Sequence, residues 1–163
     1  MFCAERALRG DGLGGQSLNW GRDVLPAALT ADHKAARRRR PRPDLVAHRE
    51  ALSLAWPEVV RRLTEIVGRK LTAYIAGVKD VRALDRWISG TEPYGDVEER
   101  LRFTYQVVRT LSQHDSPRIV QAWLMGVNPE LGDRVPLRVL RDGDLSTVAP
   151  EILGAARAFI AGA

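Results

Sequence analysis

The chain has 163 residues, with 25 basic and 20 acidic side chains, a formal net charge of +5 and a single cysteine. One thiol, Cys3, excludes an intramolecular disulfide and a thiolate metal cage. No run of about 18 apolar residues is present for a membrane span, and Met1 to Trp20 carries Glu5, Asp11 and several glycines where a signal peptide needs an apolar stretch, so a cytoplasmic protein with no membrane partner is expected.

The charge is placed unevenly. Residues 1–44 hold nine basic and five acidic side chains, 57–90 hold seven and four, and 91–163 hold eight and ten. A net-positive middle beside a slightly negative remainder suits a protein that meets phosphate with one part and another partner with the other. Of the basic residues only Lys34, Lys70 and Lys79 are lysines, a skew that carries no functional weight.

In chain order, residues 1–44 combine the glycines of Gly10 to Gly21 with Arg37-Arg38-Arg39-Arg40-Pro41-Arg42-Pro43. Repelling guanidiniums and missing backbone donors oppose compaction, and a disordered basic tail is expected, either a solvated charge run or an arm laid along DNA phosphates. From Asp44 the pattern turns helical, with Leu45, Leu52 and Trp56 as an apolar stripe. Pro57 then opens a helix in which Val59, Val60, Leu63, Ile66 and Val67 recur at helical spacing and Gly68 ends the run. Two shorter helices follow, on Leu71 and Ile75 and on Leu84, Trp87 and Ile88, broken at Gly77 and stopped at Gly90.

After a connector at Thr91 to Gly95, Asp96 and Glu99 have the form of a capping box for a longer helix carrying Leu101, Tyr105, Val108 and Leu111. Ser116-Pro117 starts another, with Ile119, Val120, Trp123 and Leu124, and Gly126 as its end. Asn128 to Gly132 turns, Pro136 opens a short helix through Leu140, and Arg141-Asp142-Gly143 turns again. Ser146 or Thr147 is expected to cap the last helix, whose apolar residues are Ile152, Leu153, Ala156, Phe159 and Ile160. No alternating strand pattern of useful length exists. The expected class is all-α: a helix-turn-helix module at 45–90 followed by a small helical domain at 91–163.

In a helix-turn-helix a small residue lets two helices approach, a glycine makes the turn, and the second helix offers polar side chains to the major groove. Ala73, Gly77 and the Leu84/Trp87 pair fill those places. Lys79, Arg82 and Arg86 are then the candidate DNA contacts, with Arg82 placed to take guanine bidentately, while Arg61, Arg62 and Arg69 suit phosphate. Arg141-Asp142-Gly143-Asp144 is either a solvated turn or a site where Asp142 and Asp144 pair with basic groups on a partner.

Enzymatic chemistry lacks an inventory. His33, His48 and His114 are scattered without metal-ligand spacing, no serine sits in a nucleophile elbow, and Gly12-Leu13-Gly14-Gly15 has neither strand before it nor helix after it. A non-enzyme without metal or cofactor is expected.

The order Ala122-Trp123-Leu124, Asn128-Pro129-Glu130-Leu131-Gly132, Val135-Pro136-Leu137, Arg141-Asp142-Gly143 and a small-residue ending at Ala163 resembles the toxin-binding domain of Xre-type antitoxins, the MbcA/ParS-like family. With Arg69 to Gly90 upstream, the resemblance covers Trp56 to Ala163. The distance from Gly77 to Arg86-Trp87 is one residue longer than the family's usual spacing. The resemblance implies an antitoxin of a type II toxin-antitoxin pair, whose partner is a RES-domain toxin that consumes NAD⁺ and whose operator it binds to repress transcription. It also implies that the Asn128 turn shapes the toxin-binding face and that the C-terminal region, here Arg157, Phe159, Ala161 and Gly162, reaches into the toxin's cleft together with Arg141 to Asp144. Assembly as a homodimer, or as a larger complex with toxin, is expected. The alternative from the residues alone is a stand-alone helix-turn-helix regulator whose C-terminal helices only dimerise it. A third reading is a helical adaptor that binds protein and never DNA.

Overall fold

The computed structural model describes residues 42–162. The expected basic tail lies outside them except at its end, where Pro43 and Asp44 form the first turn of a helix. Its expected boundary at residue 44 moves back accordingly, because Asp44 is buried and paired with Arg42 at 3.1 Å and Arg157 at 3.8 Å.

Among the described residues the fold is all-α. The elements are α1 (Pro43–Ser53), α2 (Trp56–Val67), α3 (Arg69–Ile75), α4 (Arg82–Ile88), α5 (Val97–Leu111), α6 (Pro117–Met125), α7 (Pro136–Asp142) and α8 (Leu145–Gly162), with a single turn of 3-10 helix at Pro129–Leu131. Pro43, Pro57, Pro117 and Pro136 lie in the first turns of α1, α2, α6 and α7, where the missing N–H has no helical partner to lose. One hydrophobic core takes residues from every helix, so the 45–90 and 91–163 segments are packed together rather than folded apart.

The centre of that core is α5, which buries Leu101, Tyr105, Val107, Val108 and Leu111 and packs most extensively on α1 and α2. Its arginines fasten the neighbours through the carbonyls that helix ends leave unpaired. Arg102 Nη1 donates to Ala51 O at 2.7 Å and Leu54 O at 2.9 Å at the end of α1. Arg100 Nη1 donates to Leu140 O at 2.8 Å and also to Arg141 O at the end of α7. Arg100 also holds Asp96, so the expected capping box does not form: the carboxylate turns to the guanidinium four residues on instead of to the backbone.

Four further expectations change. The α1 stripe faces the other way, with Ala47 and Ala51 buried while Leu45 and Leu52 are 47% and 65% exposed. Alanines four apart allow close approach to α5, and the same side carries Glu50, whose partners lie on α5 and α2. Trp56 alone of that stripe enters the core, its ring 5.8 Å from that of Trp87. Ile119, expected in the core, is exposed. The short helix expected to stop at Leu140 runs through Asp142, and the cap of α8 is Asp144, whose Oδ1 accepts from Ser146 N at 3.0 Å, rather than Ser146 or Thr147.

Glu50 joins three helices. Its Oε1 accepts from Tyr105 Oη at 2.6 Å and Arg62 Nη1 at 2.9 Å, and its Oε2 from Arg109 Nε at 3.0 Å. Burial pushes the carboxyl up, but the Tyr105 hydroxyl and the Arg109 and Arg62 guanidiniums outweigh it and hold Glu50 below the ordinary value. A depressed folded value means stabilisation that is present above the unfolded carboxylate value of about 4.3 and lost as pH falls through the folded one. Glu50→Gln is therefore expected to cost about 1.5–3 kcal/mol at neutral pH in urea unfolding, with variant and parent converging in acid. A gap that stays constant with pH would assign the loss to packing rather than charge.

Candidate nucleic-acid interface

The segment from α3 to α4 is closed by two glycine caps of the same form. At the end of α3, Val78 N donates to Ala73 O at 3.1 Å and Gly77 N to Tyr74 O at 3.0 Å, with Gly77 at φ +72°. At the end of α4, Thr91 N donates to Arg86 O at 2.9 Å and Gly90 N to Trp87 O at 3.1 Å, with Gly90 at φ +100°. Both are Schellman motifs, in which a left-handed residue turns the next N–H back onto an orphan carbonyl. Residues 76–81 separate the helices, a longer turn than the three or four residues usual in a helix-turn-helix. Asp80 lies in the turn just before α4, its Oδ1 accepting from Arg82 N at 2.9 Å.

Helical spacing then sorts α4 into two faces. Ala83, Leu84 and Trp87 are buried, while Arg82, Asp85, Arg86 and Ser89 point outward. Arg82 and Arg86, four apart, lie on one side and Lys79 precedes them in the turn; all three are exposed and form no ion pair among the described residues. Arg69 is brought to the same surface but is engaged there, its Nη2 donating to Asp85 Oδ2 at 2.8 Å and Val81 O at 3.3 Å. That contact locks α3 to α4 and neutralises the carboxylate that would repel phosphate. Lys70 on α3, exposed and also without an ion-pair partner among the described residues, is a basic group the sequence pattern did not single out. Arg61 and Arg62 do not serve as free cations, because Glu58 holds both and Glu50 holds Arg62.

The C-terminal candidates are divided. Asn128 fixes its turn as expected, Oδ1 accepting from Glu130 N at 2.9 Å, with Gly132 and Asp133 both at positive φ beyond it. Arg141 lies over the Tyr74 ring, 4.3 Å from its centroid, and so ties α7 to α3. Gly143 has a packing role: a Cβ there would meet Val139 O at 2.6 Å and a Val148 methyl at 2.7 Å. Arg157 faces Asp44 and donates to Leu153 O at 3.0 Å, and Phe159 packs on Trp123 with ring centroids 6.4 Å apart. Asp142, Asp144, Ala161 and Gly162 are exposed.

These residues do not converge on one spot. Asp142 to Asp144 precede α8 and Phe159 to Gly162 end it, and an 18-residue helix is about 27 Å long. What the fold does bring to Asp142 and Asp144 is the first turn of α5: Asp96 and Glu99 share with them a cleft of about 640 Å³. The spacing of Asp96 and Glu99 at a helix start was the visible signal, but only the tertiary fold sets it beside α7. Among the described residues no cluster of three or more histidine, cysteine, aspartate or glutamate side chains is placed to hold a metal. None of the described helices is long and apolar enough to cross a membrane.

Comparison of the chain with protein-family models, with curated proteins and with solved structures finds no match in any of the three.

Nothing within 4 Å would obstruct a Cβ at Gly77, so the need for glycine there is backbone conformation alone. Gly77→Ala is expected to lower stability by about 1–2 kcal/mol in thermal or urea unfolding, whereas a variant as stable as the parent would show that the turn relaxes out of the left-handed region.

Proposed function

We propose that this protein is a DNA-binding antitoxin that represses its own operon and neutralises a RES-domain, NAD⁺-consuming toxin. The observation that supports its DNA half is the outward face of α4, where Lys79, Arg82 and Arg86 are exposed without an ion-pair partner in a fold that commits many other arginines to internal contacts. Cations held on a short helix behind a rigid turn can meet phosphates and the major-groove edge without first breaking ion pairs. The toxin half rests on the resemblance of Ala122 to Ala163, whose surface combines the acidic Asp142 and Asp144 with the exposed Ala161 and Gly162. Carboxylates there would complement the basic groups that a nucleotide-binding cleft requires.

A second reading, a stand-alone regulator, is favoured by a specific observation: Arg141, Arg157 and Phe159 are occupied by Tyr74, Asp44 and Trp123 of the same chain. Affinity purification of the tagged chain from its native host separates the two. A stoichiometric RES-domain protein in the eluate supports the antitoxin; recovery of the chain alone, from cells that express the neighbouring genes, supports the regulator.

Operator affinity is expected to fall steeply between about 50 and 200 mM salt, and Arg82→Glu to weaken it by about 1–3 kcal/mol and to relax discrimination at one base pair. Equal affinity of variant and parent in fluorescence anisotropy would remove α4 from the interface. Deleting the end of α8 would take out the buried Ala155 and Ala156 and so confound neutralisation with folding. Asp142→Arg and Ala161→Arg, both exposed, are the cleaner probes: at least one is expected to abolish protection from the toxin with the melting temperature unchanged.

A further inference from the structure

The outward side of α1 is an apolar face with no cover among the described residues. Leu45, Val46 and Leu52 are 47%, 38% and 65% exposed on a helix whose other side is fully used. Beside Leu52, α1 and α5 enclose an open groove of about 500 Å³, lined by Ala51, Leu52, Phe103, His48 and Glu99. Its floor is braced, since His48 Nδ1 donates to Gln106 Oε1 at 3.0 Å. Knob and hole thus lie side by side on one surface, and contiguous exposed apolar surface is where a soluble protein meets a partner.

We infer that this face is the interface of a homodimer, in which α1 of two copies pack antiparallel about a two-fold axis near Leu52. Each Leu52 then enters the groove beside Phe103 of the other copy. The charges agree with that occupant. Within one copy α1 and α5 run antiparallel, as Gln113 Nε2 donating to Pro43 O at 3.2 Å and Arg102 donating to Leu54 O at 2.9 Å show. Glu99, one turn before Arg102, therefore lies past the C-terminal end of α1. Arg49 lies one turn before Leu52, so an antiparallel second α1 carries its own Arg49 to that same place. Arg49 and Glu99 are both exposed and form no ion pair among the described residues. A two-fold axis makes the pairing twice, as a self-complementary surface requires. Apolar burial supplies the attraction, and the exposed charge pairs set the register.

One pair of 11-residue helices covers less than the roughly 1,200 Å² of a standard stable complex, so the dimer is expected to dissociate on dilution. It extends the proposed DNA reading by supplying a second half-site reader, but it is measured without DNA, so that failure of either leaves the other standing. Light scattering on the eluting full-length chain should give twice the 18.1 kDa chain mass at high concentration and the single mass when dilute. Leu52→Glu should raise the dissociation constant by about tenfold or more with unchanged melting. Arg49→Glu and Glu99→Arg should each weaken the dimer and together restore it. In a Cys3→Ser chain, Leu52→Cys should form a disulfide between copies on oxidation. A chain that is monomeric up to its solubility limit overturns the inference and gives the face to residues 1–41 or another protein. So does a dimer indifferent to Leu52→Glu, or charge reversals that fail to rescue each other.

Discussion

The carboxylate of Glu50 is the constraint from which much of the arrangement follows. It leaves α1, meets Tyr105 and Arg109 on α5 and Arg62 on α2, and is only about one-fifth exposed. A carboxylate in that position costs desolvation unless its oxygens are all satisfied. Three donors satisfy them, and in doing so they fix which side of α1 faces inward. The consequence is visible on the opposite side, where the leucines that a hydrophobicity pattern would bury are left outside.

Around that network, α5 uses its arginines as fasteners. Arg100 and Arg102 close the ends of α7 and α1, and Arg109 closes Glu50 on α1, so a helix in the middle of the molecule holds two others by polar contacts as well as by its apolar side chains. Other basic side chains are likewise held in ion pairs, Arg62 by Glu50 and Glu58 and Arg69 by Asp85. The exceptions gain meaning from that contrast, and Lys79, Arg82 and Arg86 on one short stretch are the clearest of them. Under the proposed function these are the groups with charge to spare for phosphate.

Contact between the two halves of the chain is direct. Arg141, from the segment that resembles a toxin-binding domain, stacks on Tyr74 of the helix that supports α4, and Arg100 holds the carbonyl of the same Arg141. A partner that pulled Arg141 away would release Tyr74, one turn before Gly77 and the start of the α4 approach. The contact thus links the two segments of this chain through one packed pair of side chains.

Local chemistry was legible in the sequence: prolines in first turns, glycines at Gly68, Gly77 and Gly90, and apolar residues at helical spacing all act within one or two turns, so the helices and their ends could be placed before any packing was known. The faces of α4 followed for the same reason, since Ala83, Leu84 and Trp87 alternate with Arg82 and Arg86 at the helical period. What depended on groups far apart in sequence was decided only by the tertiary structure. Glu50 and Arg109, 59 residues apart, turned α1 over. Arg100 took Asp96 from its cap because the end of α7 fixed the other side of the guanidinium. Arg69 became a brace rather than a free cation because α4 brought Asp85 to it, and Asp142 gained Glu99 as a neighbour across a cleft. Spacing determines which side chains share a helix face; long-range partners, whose positions a one-dimensional pattern does not contain, determine which of those faces is buried and which charges remain free.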